Sequence, residues 1–141
     1  MEKSYKTLMD KGIVNVAFSG GEPLMKKGIE ELIEYTASLN AIHIETVDGQ
    51  LVETIKPPKI YVISNGGIMN DAFLDLCQKH NIFLSMSLPG LKTYKYHTQT
   101  GSPEKILHWF TEAKKREIST TVNITATKKI FTNFTKQSLT P

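Results

Sequence analysis

The stretch Val14-Asn15-Val16-Ala17-Phe18-Ser19-Gly20-Gly21-Glu22-Pro23 limits the folds open to this chain more than any other. Its first half alternates, with Val14, Val16 and Phe18 on one face and Asn15, Ala17 and Ser19 on the other, and so predicts a half-buried β-strand. Gly20 and Gly21 end that strand, let the main chain turn sharply and leave bare backbone against which a ligand can lie. Glu22 adds a carboxylate, and Pro23 directs the chain toward a helix expected to start near Met25. Ligands of α/β folds bind at this edge, where strands deliver such groups from their C-terminal ends. Taken alone, the glycine pair is no more than a tight β–α turn.

The same rhythm continues along the chain. Residues 5–11 read as the end of a helix, with Tyr5, Leu8 and Met9 at helical spacing and Gly12 as its stop. Residues 27–39 form a second helix with Ile29, Leu32, Ile33 and Ala37 on its inner face and Glu30, Glu31 and Glu34 away from it. Residues 42–55 read as a hairpin turning at Asp48-Gly49, with Ile42, Ile44, Leu51 and Ile55 on one face and His43, Glu45, Gln50 and Thr54 on the other. A strand over 59–65 ends at Gly66-Gly67, and Asn70 caps a helix over 71–80 with Phe73, Leu76 and Cys77 inward. A strand over 82–88 ends at Pro89-Gly90, and a loop follows. Ser102 and Pro103 then open a helix whose inner stripe is Ile106, Leu107, Phe110 and Ala113. A last strand is expected over 120–127, with Val122, Ile124 and Ala126 alternating with Thr121, Asn123 and Thr125. Four parallel βα units joined by right-handed crossovers follow from this order.

The strand faces bear on how the sheet is used. Asn15 and Ser19, Ser85 and Ser87, and Asn123 and Thr125 give three strands a face of small polar groups. A sheet sandwiched between helix layers is apolar on both faces. The polar face instead fits an open, partial (β/α) barrel whose lumen takes a polar ligand. The expected organisation is a partial barrel over 1–130, interrupted by a hairpin insertion at 41–57, and an irregular, threonine-rich tail over 131–141.

A chain of 141 residues is enough for one modest domain. The net charge of +3, with scattered lysines, argues against nucleic acid. No apolar run is long enough for a membrane span, and the opening Met1-Glu2-Lys3-Ser4 is unlike a signal peptide. The single cysteine, Cys77, leaves no internal disulfide and makes the cytoplasm the expected compartment. One thiol also excludes a metal cluster built from the cysteines of these residues alone.

Gly20-Gly21-Glu22-Pro23 resembles the Gly-Gly-Glu-Pro motif on the second barrel strand of radical S-adenosylmethionine (SAM) enzymes. Ser64-Asn65-Gly66 is similar to the Thr-Asn-Gly that ends the family's third strand, and Ser87-Leu88-Pro89-Gly90 to the Ser-Leu-Asp-Gly of its fourth, with Pro89 in place of the aspartate. His97-Thr98-Gln99-Thr100-Gly101 and the last strand resemble the peptide- and protein-modifying subgroup that carries a SPASM domain, with Thr98 where an aspartate is usual. The resemblance implies that Gly20, Gly21 and Glu22 hold the SAM amino group and that Ser64 and Ser87 meet its ribose or carboxylate, with Pro23, Asn65 and Asn123 also in the cofactor site. It also implies a [4Fe–4S] cluster that cleaves SAM to a 5′-deoxyadenosyl radical, which abstracts hydrogen from a peptide or small-molecule substrate. The family's Cys-x-x-x-Cys-x-x-Cys loop is missing, so the chain reads as an internal piece of such an enzyme, inactive alone and prone to self-association through open sheet edges.

Two other readings stay open: a non-catalytic α/β interaction module, and an ATP-pyrophosphatase-like nucleotide binder, although Glu22-Pro23-Leu24 replaces the phosphate-binding end of that family's Ser-Gly-Gly-x-Asp-Ser. His43, His80 and His108 read as surface or capping residues, Cys77 as core, and His97, Tyr94 and Tyr96 as loop residues at the active edge.

Overall fold

The computed structural model describes residues 2–98, 101–125 and 127. Gln99, Thr100 and the tail after Thr127 lie outside the described residues, as does Ala126 of the expected last strand. The protein is a mixed α/β fold around a parallel sheet of four strands in the order β1-β4-β5-β6. These are Asn15–Phe18, Lys59–Ser64, Phe83–Ser87 and Thr120–Asn123, and each pairs with the next in parallel. Helices α1 (Glu2–Asp10), α2 (Ile29–Ser38), α3 (Asp71–Lys79), α4 (Tyr94–His97) and α5 (Pro103–Lys115) complete the fold, with a separate antiparallel hairpin of β2 (Ala41–Val47) and β3 (Gln50–Lys56).

Strand register explains why the core lies on one side. Phe18 pairs with Val62, Val62 with Leu84, and Ser64 with Met86, so alternation turns these residues and Ile60 to a common face. There they are buried with Ile33 of α2, Phe73, Leu74 and Cys77 of α3, and Ile106 and Ala113 of α5. The opposite face is open: Asn15, Ala17, Ser19, Thr121 and Asn123 are exposed, and Ile63, Ser85 and Ser87 are half-buried. It is not uniformly polar. Tyr61 and Phe83, paired across β4 and β5, stack there with ring centroids 4.8 Å apart.

Both helix caps form as the sequence predicts. The Phe73 N–H donates to Asn70 Oδ1 at 2.9 Å, and the Lys105 N–H donates to Ser102 Oγ at 3.3 Å. Arg116, just past α5, ties that helix to α3 through Asp71 at 2.7 Å and Asp75 at 3.0 Å. Carboxylates on both helices, Asp75 first, hold the guanidinium above its ordinary pKa. No helix among the described residues is long and apolar enough to cross a membrane.

Several expectations need correction. The helix after Pro23 does not start near Met25: a 3-10 turn spans Pro23–Met25, and α2 begins at Ile29 after Gly28, whose φ is +85°. In α5 Leu107 is 42% exposed, and Trp109 packs on the core instead. The loop before Ser102 contains the one-turn helix α4, and its Tyr94 is buried. β6 is shorter than predicted, and Val122 and Ile124 are exposed. The hairpin has the predicted faces, but its polar side is the one turned to the body. His43 is not a surface residue: it is buried, with Nε2 3.0 Å from the Pro57 carbonyl oxygen. Ile42, Ile44, Leu51 and Ile55 face outward.

Candidate functional site

All four parallel strands deliver their C-terminal ends to one edge, so Gly20–Pro23, Ser64–Asn65, Ser87 and Asn123 lie along it; Glu22, Ser64 and Asn65 are in contact, while Asn123 belongs to the outer strand farthest from the glycine motif. Ser87 pairs with Asn123. Ser64 pairs with Met86, so Asn65, one residue on, is level with Ser87. Ser87 and Asn123 thus sit side by side on the open face, with Asn65 just past the end of β4. Ser64 lies in the opposite phase, buried at 1% exposure.

The end of β1 is a built loop. Gly20 has φ +99°, which a side chain rarely adopts, so glycine is required there by the backbone. Gly21 has no such φ, and a Cβ added at either position would meet nothing within 4 Å. Nothing in the described fold demands glycine at Gly21. Glu22 caps the 3-10 turn by accepting from the Leu24 N–H at 3.2 Å. The same carboxylate accepts from Ser64 Oγ at 2.9 Å and from the Asn65 N–H at 2.7 Å. Pro23 is buried at the first position of the turn.

The loop after β4 braces itself in the same way. The Gly66 N–H donates to Ser64 Oγ at 3.0 Å, and the Gly67 N–H donates to Asn65 Oδ1 at 2.8 Å. Lys105 of α5 closes over the loop, its Nζ 2.6 Å from the Gly67 carbonyl oxygen. Residue spacing gives no hint of that last contact, because it joins residues distant in sequence. A cleft of about 540 Å³ opens at this edge, lined by Glu22, Met25, Asn65, Gly67, Tyr94 and Lys105 among others. A second cavity of about 390 Å³ lies at the opposite edge, near Cys77, Phe83 and Ser119, and none of the sequence-predicted site residues line it.

The groups at the C-terminal edge suit a polar, cationic ligand: backbone carbonyls, an acid, amides and a hydroxyl. They do not suit an iron–sulfur cluster. Cys77 is fully buried on α3, and burial pushes its thiol up to about 12, far from the thiolate that a metal requires. Among the described residues no group of three or more His, Cys, Asp or Glu side chains could hold a metal ion.

A comparison with curated proteins gives no match. The family model described as the radical SAM superfamily matches residues 2–130 and so takes in the glycine motif, all four parallel strands and the hairpin. The chain belongs to the radical SAM superfamily.

Proposed function

We propose that this chain is the SAM-binding part of a radical SAM barrel and that the Gly20–Gly21 backbone seats the ammonium of the methionine moiety. The family carries out SAM-dependent radical chemistry. The observation that carries the reading is Gly21: its backbone does not require glycine and a Cβ there would meet open space, so the missing side chain serves something that comes to lie on the main chain. Two carbonyls without flanking side chains give an ammonium convergent acceptors. Ser87 and Asn123, paired on the open face, and Asn65 just past the end of β4 are the groups for the ribose and carboxylate. Ser64 is withdrawn from that role by its burial and supports the loop instead.

The sequential strand order with helices on one face supports a singly wound, barrel-like arrangement, since a doubly wound sheet reverses direction and carries helices on both faces. The open face is then the lumen and the hairpin an insertion. The chain's residues do not fit a cluster, so a cluster serving this site needs thiolates from outside these 141 residues. The substrate class in this reading is a peptide or small molecule, as in the SPASM-containing subgroup.

Calorimetry with SAM tests the proposal, on the wild type and on Gly21→Ala. The expected result is measurable but weak binding by the wild type, at least tenfold weaker in Gly21→Ala, with the melting temperature unchanged or slightly raised. Unchanged affinity in Gly21→Ala would place the ligand elsewhere. Binding of ATP without SAM would favour the nucleotide-binding reading, and binding of neither would favour a non-catalytic module.

A further inference from the structure

We infer that Glu22 is a positioning residue: its carboxylate clasps the end of β1 to the end of β4 and sets the spacing between the Gly20–Gly21 carbonyls and Asn65. Only the ligand arm of this inference rests on the SAM-binding reading. The family resemblance gives the acid of this motif to the ligand's ammonium, but the hydrogen bonds give it another task.

A carboxylate offers about four lone-pair directions. Three are filled: Oε1 accepts from the Leu24 N–H at 3.2 Å and from Ser64 Oγ at 2.9 Å, and Oε2 accepts from the Asn65 N–H at 2.7 Å. Two of the three donors belong to the other strand. Ser64 is committed in both directions, since its hydroxyl donates to Glu22 and accepts from the Gly66 N–H at 3.0 Å, and at 1% exposure it has no water to turn to. Hydrogen bonds to an ionised acceptor are the stronger kind.

The clasp lies where the ladder gives out. Backbone pairing between β1 and β4 ends at Phe18 with Val62. Beyond it come Gly20, Gly21, Gly66 and Gly67, four residues with the greatest backbone freedom to lose. The Glu22 carboxylate is the cross-strand tie that the described residues place above that point. It fixes Asn65 through its N–H, while Gly67 occupies Asn65 Oδ1 at 2.8 Å, so the Asn65 amide NH₂ remains as the group to offer a ligand. Ser64 and Glu22 therefore act as one unit, which predicts that removing either has the same consequence.

Amide exchange measured on the isotope-labelled chain, together with SAM calorimetry, tests this. Glu22→Gln and Ser64→Ala should each speed exchange of the Asn65 N–H about tenfold and weaken SAM about tenfold, with no further loss when combined. Ser64→Thr, which keeps the hydroxyl, should restore both. Should Glu22→Gln fail to fold, Glu22→Asp carries the same expectation, because it keeps the charge but is a methylene too short to span the strands. Losses that add in the double variant, or a Ser64→Ala chain with normal Asn65 exchange and normal affinity, would overturn the clasp and return Glu22 to the ligand. If the wild type binds no SAM, the functional reading fails, and the exchange data alone decide the clasp.

Discussion

Replacing Gly66 with alanine should be among the most damaging single-methyl additions in this protein. Gly66 has φ +72°, a left-handed conformation that costs a residue with a Cβ about 1–2 kcal/mol. The added Cβ would also sit 2.6 Å from Ile106 Cδ1. Ile106, on the inner face of α5, is 1% exposed and packed in the core, so its end can move only into filled space, at about 1–3 kcal/mol for overpacking. The expected loss is about 2–5 kcal/mol, a large part of the roughly 5–15 kcal/mol that holds a domain together. Urea denaturation of Gly66→Ala, Ile106→Val and the pair would separate the two causes. Ile106→Val alone should cost about 0.5–1.5 kcal/mol. In the Gly66→Ala background it removes the clashing methyl and should cost nothing or stabilise. Additive losses would show that Ile106 yields freely, and would leave backbone strain as the whole effect.

Three other outcomes are expected. Cys77, buried with its thiol pushed up to about 12, should resist alkylation at neutral pH in the folded protein and react fully in urea; rapid labelling of the native chain would contradict its placement. Lys79 of α3, hydrogen-bonded to Glu34 of α2 at 2.8 Å, holds that carboxyl below its ordinary pKa. A carboxylate lowered by folding stabilises above its unfolded pKa and loses that contribution as pH falls through the folded value, so Glu34→Gln should flatten the acid limb of a melting-temperature profile. Replacing the outward-facing Ile44 and Leu51, which are 69% and 78% exposed, by threonine should leave the melting temperature unchanged and reduce light scattering; a destabilised chain would mean that this face is covered.

Much of the fold could be read from punctuation. Gly20-Gly21, Gly66-Gly67 and Pro89-Gly90 mark strand ends, and Asn70 and Ser102 mark helix starts, because each does a local job that sequence neighbours decide. The position of the candidate residues along the C-terminal edge of the sheet was legible for the same reason. The phase of Ser64 was legible too, since it follows Ile60 and Val62 in the alternation of β4, and its burial follows from that phase rather than from its motif. Other features rest on contacts distant in sequence. Which face of the hairpin meets the body, the one that buries Ala41 and His43, is set by what it packs on, and no periodicity records it. In α5 the inner stripe turns far enough to bring Trp109 inward in place of Leu107, a shift set by the surface the helix packs on.

The order β1-β4-β5-β6 also bears on how the chain folds: neighbours in the sheet are successive parallel strands of the chain, so each pairing closes a single connection. The three closures are not equal. Tyr61 finds Phe83 across a short connection, while Asn15 must wait for Lys59 until the whole hairpin has been made. Closing a loop costs entropy before its contacts repay it. The β4–β5 pair, with its Tyr61–Phe83 stack, is therefore the expected nucleus, and β1 joins a sheet that has already begun to form.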